Sequence, residues 1–361
     1  MESAKKVLRK INSDIPLKHA YNKISPILFD VTLRDGIQKL YHMSTYDKIV
    51  NFNTIVRQME PTKIEVGSLV SPKILPIMKD TPELFEECKQ FIENINPVDE
   101  LRTSANYKYI DKPDLYVLIP SKKEKYDQAI RMGIQNISIM SSISDDFLLA
   151  NTNKNMENTK KDIKTILNDN ELNVKMYLSC INECPISGKI DNYKVVDEIN
   201  YYNDNYKIDE ICLSDTCGTL KFKDFKEILD NSLEKIPSHR ISLHLHTNDM
   251  VELKKIITYS LDKDVKKFDV SAFENQGGCS VTIKNELLNP NLTYDIFYEI
   301  LLKYLQDNTN PPDITPDNPS NPSILLPIIT TSLIPNIPDI PDIPIPEIYE
   351  PYEEELIFNN I

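Results

Sequence analysis

At 361 residues and 41.6 kDa the chain is long enough for one large or two ordinary domains. Its 41 Lys+Arg against 55 Asp+Glu give a net charge of -14, which offers nucleic acid no general basic surface. No apolar run approaches the roughly 18 to 20 residues that cross a bilayer, so neither nucleic acid nor membrane is an expected partner.

Residues 1–24 read as an N-terminal extension. Lys5, Lys6, Arg9 and Lys10 suit a mitochondrial presequence, but Glu2 and Asp14 are the acidic groups such segments avoid, and a secretory apolar segment is missing. A cytoplasmic protein is expected. From residue 25 onward, short apolar runs alternate with stretches of helical period. Strands are predicted at Ile27 to Val31, Lys63 to Val66, Leu115 to Ile119, Asn136 to Met140, Val174 to Ser179, Glu210 to Leu213, Ile241 to His246 and Lys267 to Ala272. Helices are predicted between them at Thr45 to Met59, Thr81 to Ile95, Lys122 to Met132, Asn155 to Leu167, Ile190 to Tyr206 and Lys221 to Ile236.

This alternation over about 250 residues is the size and order of an α/β fold of the (β/α)8 TIM-barrel type, placed here at residues 25–307. A doubly wound open sheet is the alternative, but no G-x-G-x-x-G follows the first strand. A last helix is expected at about Tyr294 to Gln306. Residues 308–361 form a Pro-rich acidic tail: from 311 to 361 there are nine Asp+Glu, no Lys or Arg, and 12 of the 24 prolines. Such proline spacing blocks helix and sheet alike, so the tail is expected to be disordered and polyproline-like. Its Ile334, Ile337, Ile340 and Ile343 would line one edge, available to a protein partner.

Six cysteines without a secretory signal read as reduced thiols, and their spacings include no C-x-x-C that would suggest structural zinc. Cys88, Cys180, Cys184, Cys212 and Cys217 are read as packing residues. Seven glycines in 361 residues lie far below the usual ~7%. Six of them fall in polar clusters at predicted strand ends, where active sites of such barrels are built. These clusters are DVTLRDGIQ at 30–38, EVGSLVSPK at 65–73, SCINECPISGKI at 179–190, SDTCG at 214–218, HLHTND at 244–249 and FENQGGCS at 273–280.

His244 and His246, two apart on a strand, project from one face and could ligate one ion, with Asp249 close by in sequence. Two hydrogen-bonded histidines on a half-buried strand would give the same pattern. An anionic third ligand is expected, with Asp35 on the neighbouring strand the natural candidate. Two imidazoles, a carboxylate and an amide oxygen suit magnesium or manganese, or zinc.

DVTLRDGIQ with HLHTND resembles the metal-dependent lyase and synthase superfamily that includes isopropylmalate and homocitrate synthases. SLVSPK, SCINECPISGKI and QGGC narrow the resemblance, over roughly residues 27–307, to the 3-hydroxy-3-methylglutaryl-CoA (HMG-CoA) lyase family. It implies cleavage of HMG-CoA to acetyl-CoA and acetoacetate, and a divalent metal held by Asp35, His244, His246 and an asparagine. It also implies that Arg34 faces the thioester oxygen and stabilises an enolate, that Gln38 helps bind the substrate, that Glu65 and Asp215 handle protons or support the metal, and that Cys279 exchanges a proton with the acetyl-CoA carbanion. An ion pair with Asp215 or Glu65 is the alternative for Arg34, and an inert buried thiol the alternative for Cys279. Where the family usually follows GGC with proline and small residues, this chain has GGCSVTIKNELLNPNLTYD. Asn285, Asn289 and Asn291 therefore compete as the fourth ligand, and Asn291 is favoured because NLTYDIFYEIL then aligns with the following helix. A condensing synthase joining acyl-CoA to a 2-oxo acid, and an inactive barrel serving as a binding scaffold, are the rival functions. A homodimer is left open.

Overall fold

A computed structural model describes residues 1–95, 112–168, 171–246, 248–274, 276–278 and 289–309. Cys279, Asn285 and the Pro-rich acidic segment from residue 310 lie outside the described residues.

Eight parallel strands close into a barrel. They are β1 (Ile27–Asp30), β2 (Lys63–Ser68), β3 (Asp114–Leu118), β4 (Asn136–Ser142), β5 (Asn173–Ser179), β8 (Glu210–Ser214), β9 (Ile241–His244) and β10 (Lys267–Val270). The strand order is β1-β10-β9-β8-β5-β4-β3-β2, and β1 closes the ring by pairing with both β10 and β2. All eight predicted strands are present within a few residues, and the barrel replaces the open-sheet alternative.

The strands read as alternating apolar and polar residues because their two faces meet different surroundings. Ile64 and Val66, Val174 and Met176, Ile211 and Leu213, Leu243, Phe268 and Val270 turn outward into the large apolar cluster shared with the helices. The intervening Lys63, Glu65, Lys175, Tyr177, Glu210, Cys212, His244 and Asp269 share the inner face. Barrel interiors of this class are usually filled by Val, Ile and Leu. Here ion pairs occupy much of that space: Glu210 meets Lys63, Lys175 and Lys267, each at 3.1 Å.

Helices α3 (Thr45–Met59), α4 (Thr81–Asn94), α5 (Lys123–Arg131), α7 (Met156–Leu167), α8 (Asn192–Asn205), α9 (Phe222–Leu233) and α11 (Tyr294–Thr309) match the predicted segments, with α11 running past its expected end at Gln306. Side-chain oxygens of Ser44, Asn155 and Asp191 cap α3, α7 and α8 by accepting N–H groups of the first turn.

Helices α6 (Asp145–Thr152) and α10 (Met250–Asp262) are additional to the predicted segments. Helix α6 has only 8 residues, too few for a clear period, and Ser144 caps it. The N-terminal extension forms α1 (Glu2–Ser13) and α2 (Ile15–Ile24). Ala4, Val7 and Ile11, spaced along one face of α1, are buried, and α1 packs on α11 with the Ala4 N–H donating to Asp295 at 2.7 Å. Among the described residues no helix is long and apolar enough to cross a membrane.

Candidate functional site

The clusters at the C-terminal ends of β1, β2, β9 and β10 converge on a cavity of about 510 Å³. Arg34, Asp35, Gln38, Tyr177, His244 and His246 line its inner part, and Ile74, Pro120 and Lys125 are among the residues that line the rest.

After β1 the chain turns tightly, with the N–H groups of Arg34 and Gly36 donating to the Val31 carbonyl. A side chain at position 36 would sit 2.6 Å from the Thr32 carbonyl oxygen, so only glycine lets the turn close against the strand end. The turn delivers two adjacent charges. Arg34 Nε donates to Glu65 Oε2 at 2.5 Å, Nη1 donates to Asp35 Oδ1 at 2.6 Å, and the guanidinium lies 5.1 Å from the Tyr177 ring centre. Burial works against its charge, but Glu65 and Asp35 outweigh it and hold the guanidinium protonated. Among the described residues Nη2 makes no hydrogen bond, which leaves it for the cavity that Arg34 lines. The ion pair with Glu65 exists, whereas none forms between Arg34 and Asp215.

Asp35 Oδ2 accepts from Asn291 Nδ2 at 2.8 Å and from the Gly278 N–H at 3.0 Å, and Gln38 donates to Oδ1. Burial alone would raise this carboxyl, but Arg34, then His244 and His246, hold it well below the usual carboxylate range. His244 Nε2 lies 3.8 Å from Asp35 Oδ2, while its Nδ1 faces Asp269 Oδ2 at 3.1 Å. His246 Nδ1 faces the Asn289 carbonyl oxygen at 2.8 Å. Burial, then the neighbouring His244, lowers His246 to about 4, so this imidazole is neutral at ordinary pH, the form that ligates metals. In both rings the Nδ1 partner is an acceptor, so a neutral ring carries its lone pair on Nε2.

Asn291 reaches the site through backbone pairing that motif spacing does not reveal. It forms a bridge with His246, its N–H donates to the Gln276 carbonyl at 2.9 Å, and the Leu292 N–H donates to Leu245 at 3.0 Å. Gly277 makes the room: at φ +104° a side chain there would lie 2.2 Å from Asn291 Nδ2. Asn289 points elsewhere, donating to the Cys217 carbonyl at 2.7 Å.

Among the described residues no three His, Cys, Asp or Glu side chains already converge as a metal-holding group. The donor set nevertheless suits a cation, because among the described residues Asn291 Oδ1 and Glu65 Oε1 are buried without a hydrogen-bond partner. An orphaned amide oxygen beside a carboxylate and two imidazole nitrogens lacks only a positive partner.

Other candidates sit further out. Asp215 turns its oxygens to the N–H groups of Thr219 and Leu220 at 3.2 and 3.1 Å, and Ser214 and Thr216, not Asp215, line the cavity. Burial raises its carboxyl to about 6 against those donors. Asp249 caps α10 and pairs with Lys221 at 2.9 Å, away from the imidazoles it follows in sequence. Cys88, Cys180, Cys184 and Cys212 are buried and Cys217 is partly exposed. Cys184 also holds the hairpin of β6 (Glu183–Cys184) and β7 (Gly188–Lys189), its sulfur accepting from Ile186 and Ser187 N–H at 3.4 Å. Lys175, Glu210 and Asp269 belong to no motif, although their every-second-residue spacing places them on the same face as Tyr177, Cys212 and Ser271 of their own strands.

The HMGL-like family profile matches residues 25–251. The hydroxymethylglutaryl-CoA lyase of Bacillus subtilis is 25% identical over 254 residues, covering 69% of this chain and 77% of the relative. The mitochondrial enzyme of Macaca fascicularis is 25% identical over 257 residues, covering 70% and 71%. Among solved structures, the HMG-CoA lyase of Brucella melitensis superposes with a TM-score of 0.62 at 22% identity, over 79% of this chain and 96% of that one. An HMG-CoA lyase from Acinetobacter baumannii, in complex with coenzyme A and 3-methylmalate, gives 0.63 at 19% identity, over 78% and 90%. At these identities the superpositions speak for the fold alone.

Proposed function

This chain belongs to the HMGL-like family, a divalent-metal-dependent family of lyases and aldolases, and from that premise we propose that it is a carbon–carbon lyase that cleaves HMG-CoA to acetyl-CoA and acetoacetate. The observation that carries the reading is the meeting of Arg34 and His244 with Asp35 at the cavity, where Asn291 binds the same carboxylate and its oxygen has no hydrogen-bond partner among the described residues. Asp35, His244 and His246 through Nε2, and Asn291 through Oδ1, would hold the ion, with magnesium or manganese favoured by the mixed oxygen and nitrogen set. When bound, the ion would chelate the substrate's hydroxyl and a neighbouring oxygen and make that hydroxyl more acidic.

The chain's own residues supply the rest. Transfer of the hydroxyl proton to a base of the site lets the bond between C2 and C3 break; its electron pair becomes the enolate of acetyl-CoA, and the hydroxyl carbon becomes the ketone of acetoacetate. Arg34 turns Nη2 to the thioester oxygen, where negative charge grows as the bond breaks. Its ion pairs with Glu65 and Asp35 fix the guanidinium in advance, so little reorganisation accompanies the charge. Cys279 is the proposed proton source for the enolate carbon. Gln38, which donates to Asp35 and lines the cavity, would orient both the carboxylate and the acyl group.

The coenzyme A complex of the Acinetobacter relative supports an acyl-CoA as the ligand class. The deciding experiment incubates purified protein with HMG-CoA and magnesium or manganese and follows acetoacetate. Metal-dependent release supports the reading. A protein that binds metal but releases no acetoacetate would instead be a condensing enzyme or a binding barrel.

A further inference from the structure

Asp269 on β10 is buried inside the barrel, and its two oxygens face different partners. Lys175 Nζ donates to Oδ1, while His244 Nδ1 stands 3.1 Å from Oδ2, to which the Cys212 thiol also donates at 3.8 Å. Lys175 is itself buried. It holds Glu210 at 3.1 Å and lies 3.6 Å from the centre of the Phe29 ring, so its ammonium group has no freedom to turn away from Asp269. None of Lys175, Glu210 and Asp269 lines the cavity, so none is placed to touch a substrate.

What this chain of charges can do is fix an imidazole. A neutral histidine carries one N–H, and a carboxylate opposite Nδ1 can only accept it. The proton therefore sits on Nδ1, and the lone pair on Nε2, the nitrogen 3.8 Å from Asp35 Oδ2. We propose that Asp269, clamped by Lys175, is a positioning residue that gives His244 its metal-facing nitrogen and its ring orientation. The proposal rests on the metal reading above and extends it to residues deeper in the barrel. The competing account makes Asp269 only the counter-charge of Lys175, with no consequence for the imidazole.

Asp269→Asn in the full chain separates the two. The Lys175 ammonium claims the single amide oxygen, so the amide NH2 turns to Nδ1 and drives the ring proton to Nε2. Affinity for Mn(II) alone, read from the electron paramagnetic resonance of the free ion, is expected to fall about ten- to hundred-fold. In the double variant Asp269→Asn, Lys175→Met the amide is released to offer its oxygen to Nδ1, and Mn(II) affinity should recover toward that of the native protein. Unchanged affinity in the single variant, or no recovery in the double, overturns the proposal, because a counter-charge predicts changes in stability only. Nitrogen-15 spectra of the native protein without metal need no variant to fold: an Nδ1–H tautomer of His244 supports the proposal and an Nε2–H tautomer overturns it. Native protein that binds no Mn(II) would remove the metal reading and this extension with it. Equal binding by native protein and Asp269→Asn would remove the positioning role alone.

Discussion

Arg34 illustrates how one side chain serves structure and chemistry together. Two of its nitrogens are tied to Glu65 and Asp35, which orders the guanidinium, and the third remains for the cavity. A group whose purpose is to meet growing negative charge acts more strongly on the transition state than on bound substrate. Arg34→Met is therefore expected to lower kcat by roughly 10²-fold or more, the scale seen when a donor to a developing oxyanion is removed. Bound Mn(II) should stay near the native level; a near-normal kcat would leave Arg34 with the ion pairs alone.

Asp215 makes a second prediction at this scale. Burial raises its folded-state carboxyl to about 6, against roughly 3.9 in an unfolded chain. Between these values the native protein holds a proton that the unfolded chain has lost. The stability this group contributes is thus fully present below about pH 4 and is lost as pH rises through about 6. Carbon-13 carboxyl titration should place its midpoint near 6, and a midpoint near 4 would show that the turn's N–H donors outweigh burial.

At the scale of elements, the site depends on a short segment after β10 that pairs with the end of β9. Asn291 is held there by the bridge to His246 and by Gln276, and Gly277 leaves the space that its side chain occupies. Gly277→Ala would force the backbone out of its positive φ or push Asn291 aside. The expected result is a loss of Mn(II) binding and of cleavage while the far-ultraviolet circular dichroism of the barrel is kept. Full metal binding would show that Asn291 is not a ligand. The N-terminal helices carry the opposite lesson. They hold no site residue, yet α1 buries Ala4, Val7 and Ile11 and packs on α11, the last helix of the ring.

For the whole molecule, the notable departure is a barrel interior built on ion pairs. Glu210 lies between three lysines, with Lys175 fully buried, and their charges hold its carboxyl far below the usual range although burial opposes this. Removing one partner of a buried set leaves uncompensated charge, so Glu210→Ala should cost about 3–5 kcal/mol in urea unfolding. A change below about 1 kcal/mol would mean that water already reaches these lysines. The same interior connects to function, because Lys175 and Asp269 join this cluster to His244.

The local pattern of the chain determined the barrel, since β-period runs alternating with helical stretches admit few closed arrangements, and the drained glycine content left Gly36, Gly67, Gly218, Gly277 and Gly278 marking the strand-end turns. The H-x-H spacing and the Arg34–Asp35 pair were legible for the same reason: neighbours in sequence, or residues two apart on one strand, keep a fixed geometry wherever they fold. Tertiary structure decided what spacing cannot encode. Which asparagine meets Asp35 depends on a register between residues 45 positions apart, His246 and Asn291. Whether Asp215 and Asp249 face the cavity or cap their own loops depends on rotamers set by packing. The role of Asp269 was invisible because its partners, Lys175 and His244, lie 94 and 25 positions away; pairing of β9 with β10 sets His244 beside it, and the curvature of the sheet brings Lys175 of β5 to it across the barrel interior.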